Sequence, residues 1–154
     1  MRFILLDRIT LLEPPERALG IKCVSLSDDV FVDHFPGHPV MPGALILESM
    51  AQLGGVLVES TIRARGETDM HAVWTMVDRG RFRRVVVPGD RMMLEATGAR
   101  VTIDGGRVKV VARVEGEVVA ESELTFVLTR LTNPKLIARR QAIFDVWLHG
   151  AEQA

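Results

Sequence analysis

The sequence predicts an α+β fold, with a curved antiparallel sheet wrapped on one long buried helix and an amphipathic helix at the C-terminal end. Three observations predict it. Residues 43–64 read as one helix that is apolar on nearly all sides, as a helix enclosed by a core is. Segments with the period-2 pattern of half-buried strands lie before and after it, segregated from helix rather than alternating with it. The tail beyond residue 132 returns to helical spacing. Residues 1–131 are expected to form the domain, and residues 132–154 a helical extension of it.

In order, residues 3–12 read as an apolar-biased strand ended by Pro14 and Pro15, and residues 19–26 as a second strand. Ser27, Asp28 and Asp29 make a turn, and residues 30–32 a short extended piece. Three prolines and two glycines in residues 34–43 forbid regular structure there and stiffen the loop. Pro42 suits the helix start, where its missing N–H is no loss, and Gly66 suits the stop. Residues 73–77 and 81–87 read as two β segments, with a turn at 86–90. Residues 91–101 are a strand turned by Asp104, Gly105 and Gly106. Val108, Val110, Ala112 and Val114 share one face of the next strand. After the hairpin at 115–117, Val118, Ala120, Leu124, Phe126 and Leu128 share a face of the last. In the tail, Asn133 and Pro134 read as N-cap and first-turn proline. Leu136, Ile137, Ile143, Phe144, Trp147 and Leu148 form a packing stripe, and Gly150 ends the helix.

A chain of 154 residues suits one domain with a sizeable core, and 47% hydrophobic against 25% charged residues excludes a disordered chain. A net charge of −1 supplies no global field for nucleic acid or a membrane surface, so any basic docking site must be local. Cys23 is the sole cysteine; no intrachain disulfide is possible, and an inert buried thiol is expected. The N-terminal apolar run is too short for a signal peptide, making a reducing cytoplasm the expected compartment. The apolar run 44–58 is shorter than the roughly 20 residues that span a bilayer and is broken by Glu48 and Gln52.

Chemistry-bearing features gather around the loop. His34 is a general base suited to neutral pH. The first N–H groups of the following helix lack internal partners and carry the positive end of its dipole, and Gly43 has no side chain to keep a substrate oxygen away. Glu48 follows within the helix among Leu45, Ile46, Leu47 and Met50, where a charged, unpaired carboxylate is costly, so this group is expected to hold a proton. A base, an oxyanion donor and a protonated acid suit proton abstraction beside a carbonyl with loss of a leaving group. Each residue alone also has a bland reading, as a surface histidine or a solvated glutamate.

The run HFPGHPVMPGALILESMAQ over residues 34–52 resembles the active-site signature of the 3-hydroxyacyl-(acyl-carrier-protein) dehydratases of type II fatty-acid synthesis, the FabZ-like hotdog enzymes. FILLDRI at 3–9 and RFRRVVVPGD at 81–90 resemble flanking parts of the same family, and the likeness covers about residues 3–130. The resemblance implies the hotdog fold and a lyase that converts a (3R)-3-hydroxyacyl carrier thioester to the trans-2-enoyl thioester without a cofactor. It implies that His34 removes the C2 proton, that Glu48 serves the departing hydroxyl, and that the Gly43 N–H binds the thioester carbonyl. It further implies a homodimer, or a trimer of dimers, with histidine and acid from different subunits. A glutamate at position 48 resembles the branch that dehydrates without isomerising. Three departures bear on substrate length, gating and assembly. The family's leading helical segment is not seen before the first strand, the tail beyond Thr132 is extra, and with no tyrosine a tyrosine gate cannot exist.

Arg79, Arg81, Arg83 and Arg84 form a basic cluster that reads either as a solvated strand face or as a dock for an acidic acyl carrier protein and its pantetheine phosphate. If the segment stays extended, Arg79, Arg81 and Arg83 share one face. Arg139 and Arg140 are candidates to join it, although exposure to solvent is the plainer reading. Phe35, Met41 and Pro42 are expected to line the acyl tunnel, and Gln52 to hydrogen-bond within the interface. His38, His71 and His149 lack partners at ligand spacing, so no metal site is expected. Two rival functions remain. A hotdog thioesterase would use Glu48 to direct water but has no C2 proton for His34 to take. A non-catalytic carrier-binding subunit would not need both His34 and Glu48.

Overall fold

Seven strands and two helices are described by the computed structural model, which covers residues 3–154. Strands β1 (Arg8–Glu13) and β2 (Arg17–Cys23) precede helix α1 (Gly43–Arg63). Strands β3 (Met70–Phe82), β4 (Arg91–Val101), β5 (Gly105–Val114) and β6 (Glu117–Arg130) follow it. Helix α2 (Pro134–Trp147) and the two-residue β7 (Glu152–Gln153) close the chain. The sheet order is β3-β6-β5-β4-β2-β1-β7, antiparallel except where β7 runs parallel to β1.

The sheet wraps α1 because both elements present apolar faces. Val108, Val110, Ala112 and Val114 of β5 point inward with Leu124, Phe126 and Leu128 of β6, and meet Met50, Leu53, Val56, Leu57 and Val58 of the helix. Truncating a side chain as enclosed as Leu53 or Leu57, both 0% exposed, costs about 2–5 kcal/mol. Gly54 lets the helix sit close, since a Cβ there would meet Val108 at 3.0 Å. By length and mean hydropathy α1 could cross a bilayer, but 78% of its most apolar stretch is buried inside the protein. Burial, rather than the short length expected from sequence, identifies it as the core helix.

Several local expectations need correcting. The first strand begins at Arg8, not residue 3, because Phe3, Leu5 and Leu6 bond the Gln52 side chain instead of a neighbouring strand. Residues 29–32 form a 3-10 turn, in which Phe31 N–H bonds Asp28 C=O and Phe31 enters the core. The segment expected at 73–77 and only the first two residues of the one expected at 81–87 form one strand, β3, with register shifts at Trp74/Met76 and Asp78/Arg81; residues 83–87 lie outside it. A register shift beside Arg113 turns Val119, not Val118, inward. Cys23 is exposed, because it ends β2 beyond the last inward-facing position.

The tail helix starts as expected, with the Asn133 side chain accepting from Lys135 N–H and Pro134 at the first turn. Its stripe divides: Phe144 and Trp147 are buried, whereas Leu136 and Ile137 remain exposed. Beyond it, β7 covers the outer edge of β1, an addition too short to leave a sequence pattern. At the opposite end of the sheet β3 has a neighbour only on its β6 side, and Val73, Met76, Val77 and Phe82 on this edge strand are exposed.

Candidate active site

The stiff loop holds His34 by its backbone and its ring. Its N–H bonds Val30 C=O at 3.1 Å, its C=O accepts from Val40 N–H at 2.9 Å, and Phe35 and His38 exchange backbone bonds across the turn. The ring Nδ1 lies 2.7 Å from the Val40 carbonyl. A carbonyl only accepts, so Nδ1 carries the proton and Nε2 is left as the basic nitrogen. Phe35 stacks on the imidazole with centroids 4.1 Å apart.

Met41 N–H bonds Val86 C=O and ties the loop to the segment after β3. Pro42 caps α1, and its carbonyl takes the N–H groups of Leu45 and Ile46. As the first residue of the helix, Gly43 has an N–H with no acceptor among the described residues, at the positive end of the helix. Phe82 lies over this position, and a Cβ on Gly43 would meet its ring at 2.8 Å. His34, Val40, Met41, Gly43, Ile46 and Phe82 line one open groove of about 530 Å³, with Arg83 and Arg84 at its rim.

Glu48 does not line that groove. At 3.6 residues per turn it points roughly 140° around the helix from Gly43. It is half-buried rather than sealed among the neighbouring aliphatic residues, and its Oε1 accepts from Gln52 Nε2 at 3.0 Å. Gln52 also donates to Phe3 C=O at 2.9 Å, while its own Oε1 accepts from Leu5 and Leu6 N–H, each at 3.0 Å. Within one chain the structure thus brings His34 and Gly43 together and sets Glu48 on another side of the helix.

The sequence as a whole has clear relatives. Residues 1–125 match the family model described as FabA-like domain. The chain is 48% identical over 128 residues to the 3-hydroxyacyl-(acyl-carrier-protein) dehydratase FabZ of Bacillus velezensis, covering 82% of this chain and 87% of that one. It is 42% identical over 129 residues to the enzyme of the same name from Acetivibrio thermocellus, with 82% and 84% covered. The chain belongs to the FabZ dehydratase family. Two solved structures share the fold. A hot-dog-like protein from Thermanaerovibrio acidaminovorans has a TM-score of 0.60 at 20% identity, over 84% of this chain and 92% of that one. A Streptococcus mutans protein, smu.793, solved with acetyl CoA, has a TM-score of 0.63 at 14% identity, over 86% and 95%. The FabZ family fold is therefore the hotdog expected from the sequence.

The remaining expected site residues of this FabZ-family chain divide. Met41 is buried on the groove wall and Pro42 caps the helix beside it, but Phe35 is half-exposed and covers the His34 ring instead of the groove. The arginine cluster does not form one extended face: Arg79 takes a left-handed φ of 52° at the bulge, and β3 ends at Phe82. Arg79 pairs with Glu123 at 3.2 Å, Arg83 with Glu121, and Arg84 with Glu117 at 3.0 Å; Arg81 makes no such pair among the described residues. The Arg83 hydrogen bond holds the Glu121 carboxyl below the usual carboxylate range. Arg140 is not a solvated partner for this cluster, since it bonds the buried Glu59 at 2.6 Å. Arg139 is exposed on α2. His71 lies 2.8 Å from the same Glu59 oxygen. Sequence reasoning missed Ile46, Phe82 and Val86 as groove residues; only their apolar character beside the loop and at the end of β3 hinted at it.

Proposed function

We infer that this chain removes water from 3-hydroxyacyl chains carried as thioesters on an acyl carrier protein, giving the 2-enoyl thioester for fatty-acid or related acyl-chain synthesis. Its relatives of that name match over most of their length at 40–48% identity. The observation that carries the residue assignment is the bond from His34 Nδ1 to the Val40 carbonyl, which leaves Nε2 basic beside the free Gly43 N–H.

In this reading the thioester carbonyl accepts the Gly43 N–H, which stabilises negative charge developing on that oxygen. His34 Nε2 takes the C2 proton, and the C2–H electron pair becomes the C2–C3 double bond. The C3–O bond breaks and Glu48 supplies a proton to the leaving hydroxyl, releasing water. A proton then passes from the imidazolium to the carboxylate and restores both groups. No metal or nucleotide enters the scheme, and the assigned compartment is the cytoplasm.

Glu48 comes from a second copy in this proposal, because it faces away from the His34 groove of its own chain. The outer edge of β3, with its exposed apolar side chains, supports pairing of two copies, since an unpaired edge strand presents free backbone donors and acceptors. Arg81, with Arg83 and Arg84 at the groove rim, is the proposed dock for the acidic carrier and its pantetheine phosphate; Arg79 extends the same basic region. Following the ultraviolet absorbance of the conjugated enoyl thioester after adding a 3-hydroxyacyl carrier substrate tests the activity. A steady rise supports it, and a flat trace with a verified substrate contradicts it.

A further inference from the structure

We propose that the C-terminal helix α2 is a positioning brace for Glu48, acting through Trp147, Leu6 and Gln52. The inference rests on the reading of Glu48 as the group that protonates the departing hydroxyl.

The brace is a continuous set of hydrogen bonds. Trp147 Nε1 donates to Leu6 C=O at 2.6 Å, in a contact where the residues are 3% and 1% exposed. Leu6 N–H and Leu5 N–H both donate to Gln52 Oε1, and Gln52 Nε2 donates to Phe3 C=O and to Glu48 Oε1. An amide side chain has two acceptor sites and two N–H donors, so all four of its bonds are made and only one orientation of the amide satisfies them. Glu48 Oε1 is thereby held, and Oε2 is the carboxyl oxygen with no partner among the described residues.

Residues 3–6 lack a strand partner, so the Gln52 amide and the Trp147 indole take over the role a sheet would have. The indole can do this only if α2 is itself fixed. Arg140 bonds Glu59, which is 1% exposed in the core helix, and Arg63 and Arg140 lie 5.5 and 5.0 Å from the Phe144 ring centroid. Beyond α2, β7 pairs with β1 and Ala154 N–H bonds Leu12 C=O. All of α2 lies outside the residues that match the FabA-like domain. The extension, itself outside that domain, thus reaches Glu48 through Leu6 and Gln52, which lie within it.

The test is a kinetic cycle on the full chain with an acyl carrier substrate, at a temperature where thermal melts show every variant folded. Trp147→Phe keeps an aromatic side chain, smaller than the indole, and removes the N–H donor. It is expected to lower kcat roughly fivefold to tenfold while KM stays within about twofold, because a displaced proton donor slows the chemical step without altering substrate binding. Gln52→Ala should lose more, and the Trp147→Phe/Gln52→Ala double variant should lose no more kcat than Gln52→Ala alone, as for residues acting in series. An unchanged kcat in Trp147→Phe, or losses that multiply in the double variant, overturns the brace. Glu48→Gln separates the two levels: near wild-type turnover there overturns the assignment of Glu48 on which the brace depends.

Discussion

His34 and Val40 close the loop before α1 on itself, with Nδ1 donating to the Val40 carbonyl at 2.7 Å. The bond selects one tautomer and turns Nε2 away from the Val40 carbonyl, so both the base and its orientation depend on the five residues of loop between them. Replacing His34 by Ala removes the base and leaves the backbone bonds of the loop intact. Turnover is expected to fall about a thousandfold with the melting temperature little changed, the usual scale for a lost general base. Steady-state rates with a thermal melt check it; a loss of only a few-fold would make His34 a structural loop residue.

Gly43 is expected to tolerate no side chain. A Cβ there meets Phe82 at 2.8 Å, and a larger group also shields the free N–H. Gly43→Val should reduce kcat/KM by about a hundredfold or more, the scale of losing one oxyanion donor. Pairing it with Phe82→Ala separates the causes. The clash is relieved in the double variant, yet activity should stay low if the N–H is the essential group. Full recovery would assign Gly43 a packing role alone.

Much of this was legible in the sequence, for physical reasons. The all-apolar character of α1 and the alternation in β5 are repeated signals, so their placement and facing could be read directly. The loop from His34 to Gly43 was legible because proline and glycine leave few backbone options. Contacts made once, between distant residues, carry no period. Arg140 reaches Glu59 across 81 positions, and nothing in the tail's stripe announced it. The bulge at Asp78/Arg81 broke the expected arginine face, because an inserted residue does not show in a basic run. The bonds of the Gln52 amide to its own chain's N-terminal segment likewise join residues 46 and 47 positions apart and left no pattern to read.

Carrier docking is tested at the groove rim. Arg81→Glu with Arg83→Glu reverses two charges and places a carboxylate beside Glu121. KM for acyl carrier substrates is expected to rise roughly tenfold, and more at low salt than at high salt. A short pantetheine thioester, which needs no carrier surface, should be affected little. Equal losses on both substrates would mean that the Arg83 pair with Glu121 supports the fold; no loss on either would leave the cluster a solvated face.

A site shared between copies makes a distinctive prediction for mixtures. His34→Ala and Glu48→Gln are each expected to be inactive. After subunit exchange, a mixed dimer has one site carrying both changes and one carrying neither, so about a quarter of wild-type activity should return at equal mixing. Exchange followed by a fluorescent label, with no recovered turnover, would place base and acid in one chain.

The central claim is that this chain removes water from a carrier-bound 3-hydroxyacyl group. Intact-mass spectrometry of a 3-hydroxyacyl acyl carrier protein incubated with the purified chain reads the outcome directly. The predicted result is a carrier species lighter by one water, with the thioester intact, absent with Glu48→Gln. Appearance of free pantetheine thiol on the carrier would indicate hydrolysis, and an unchanged mass despite binding would indicate recognition without chemistry. Either result would contradict the account.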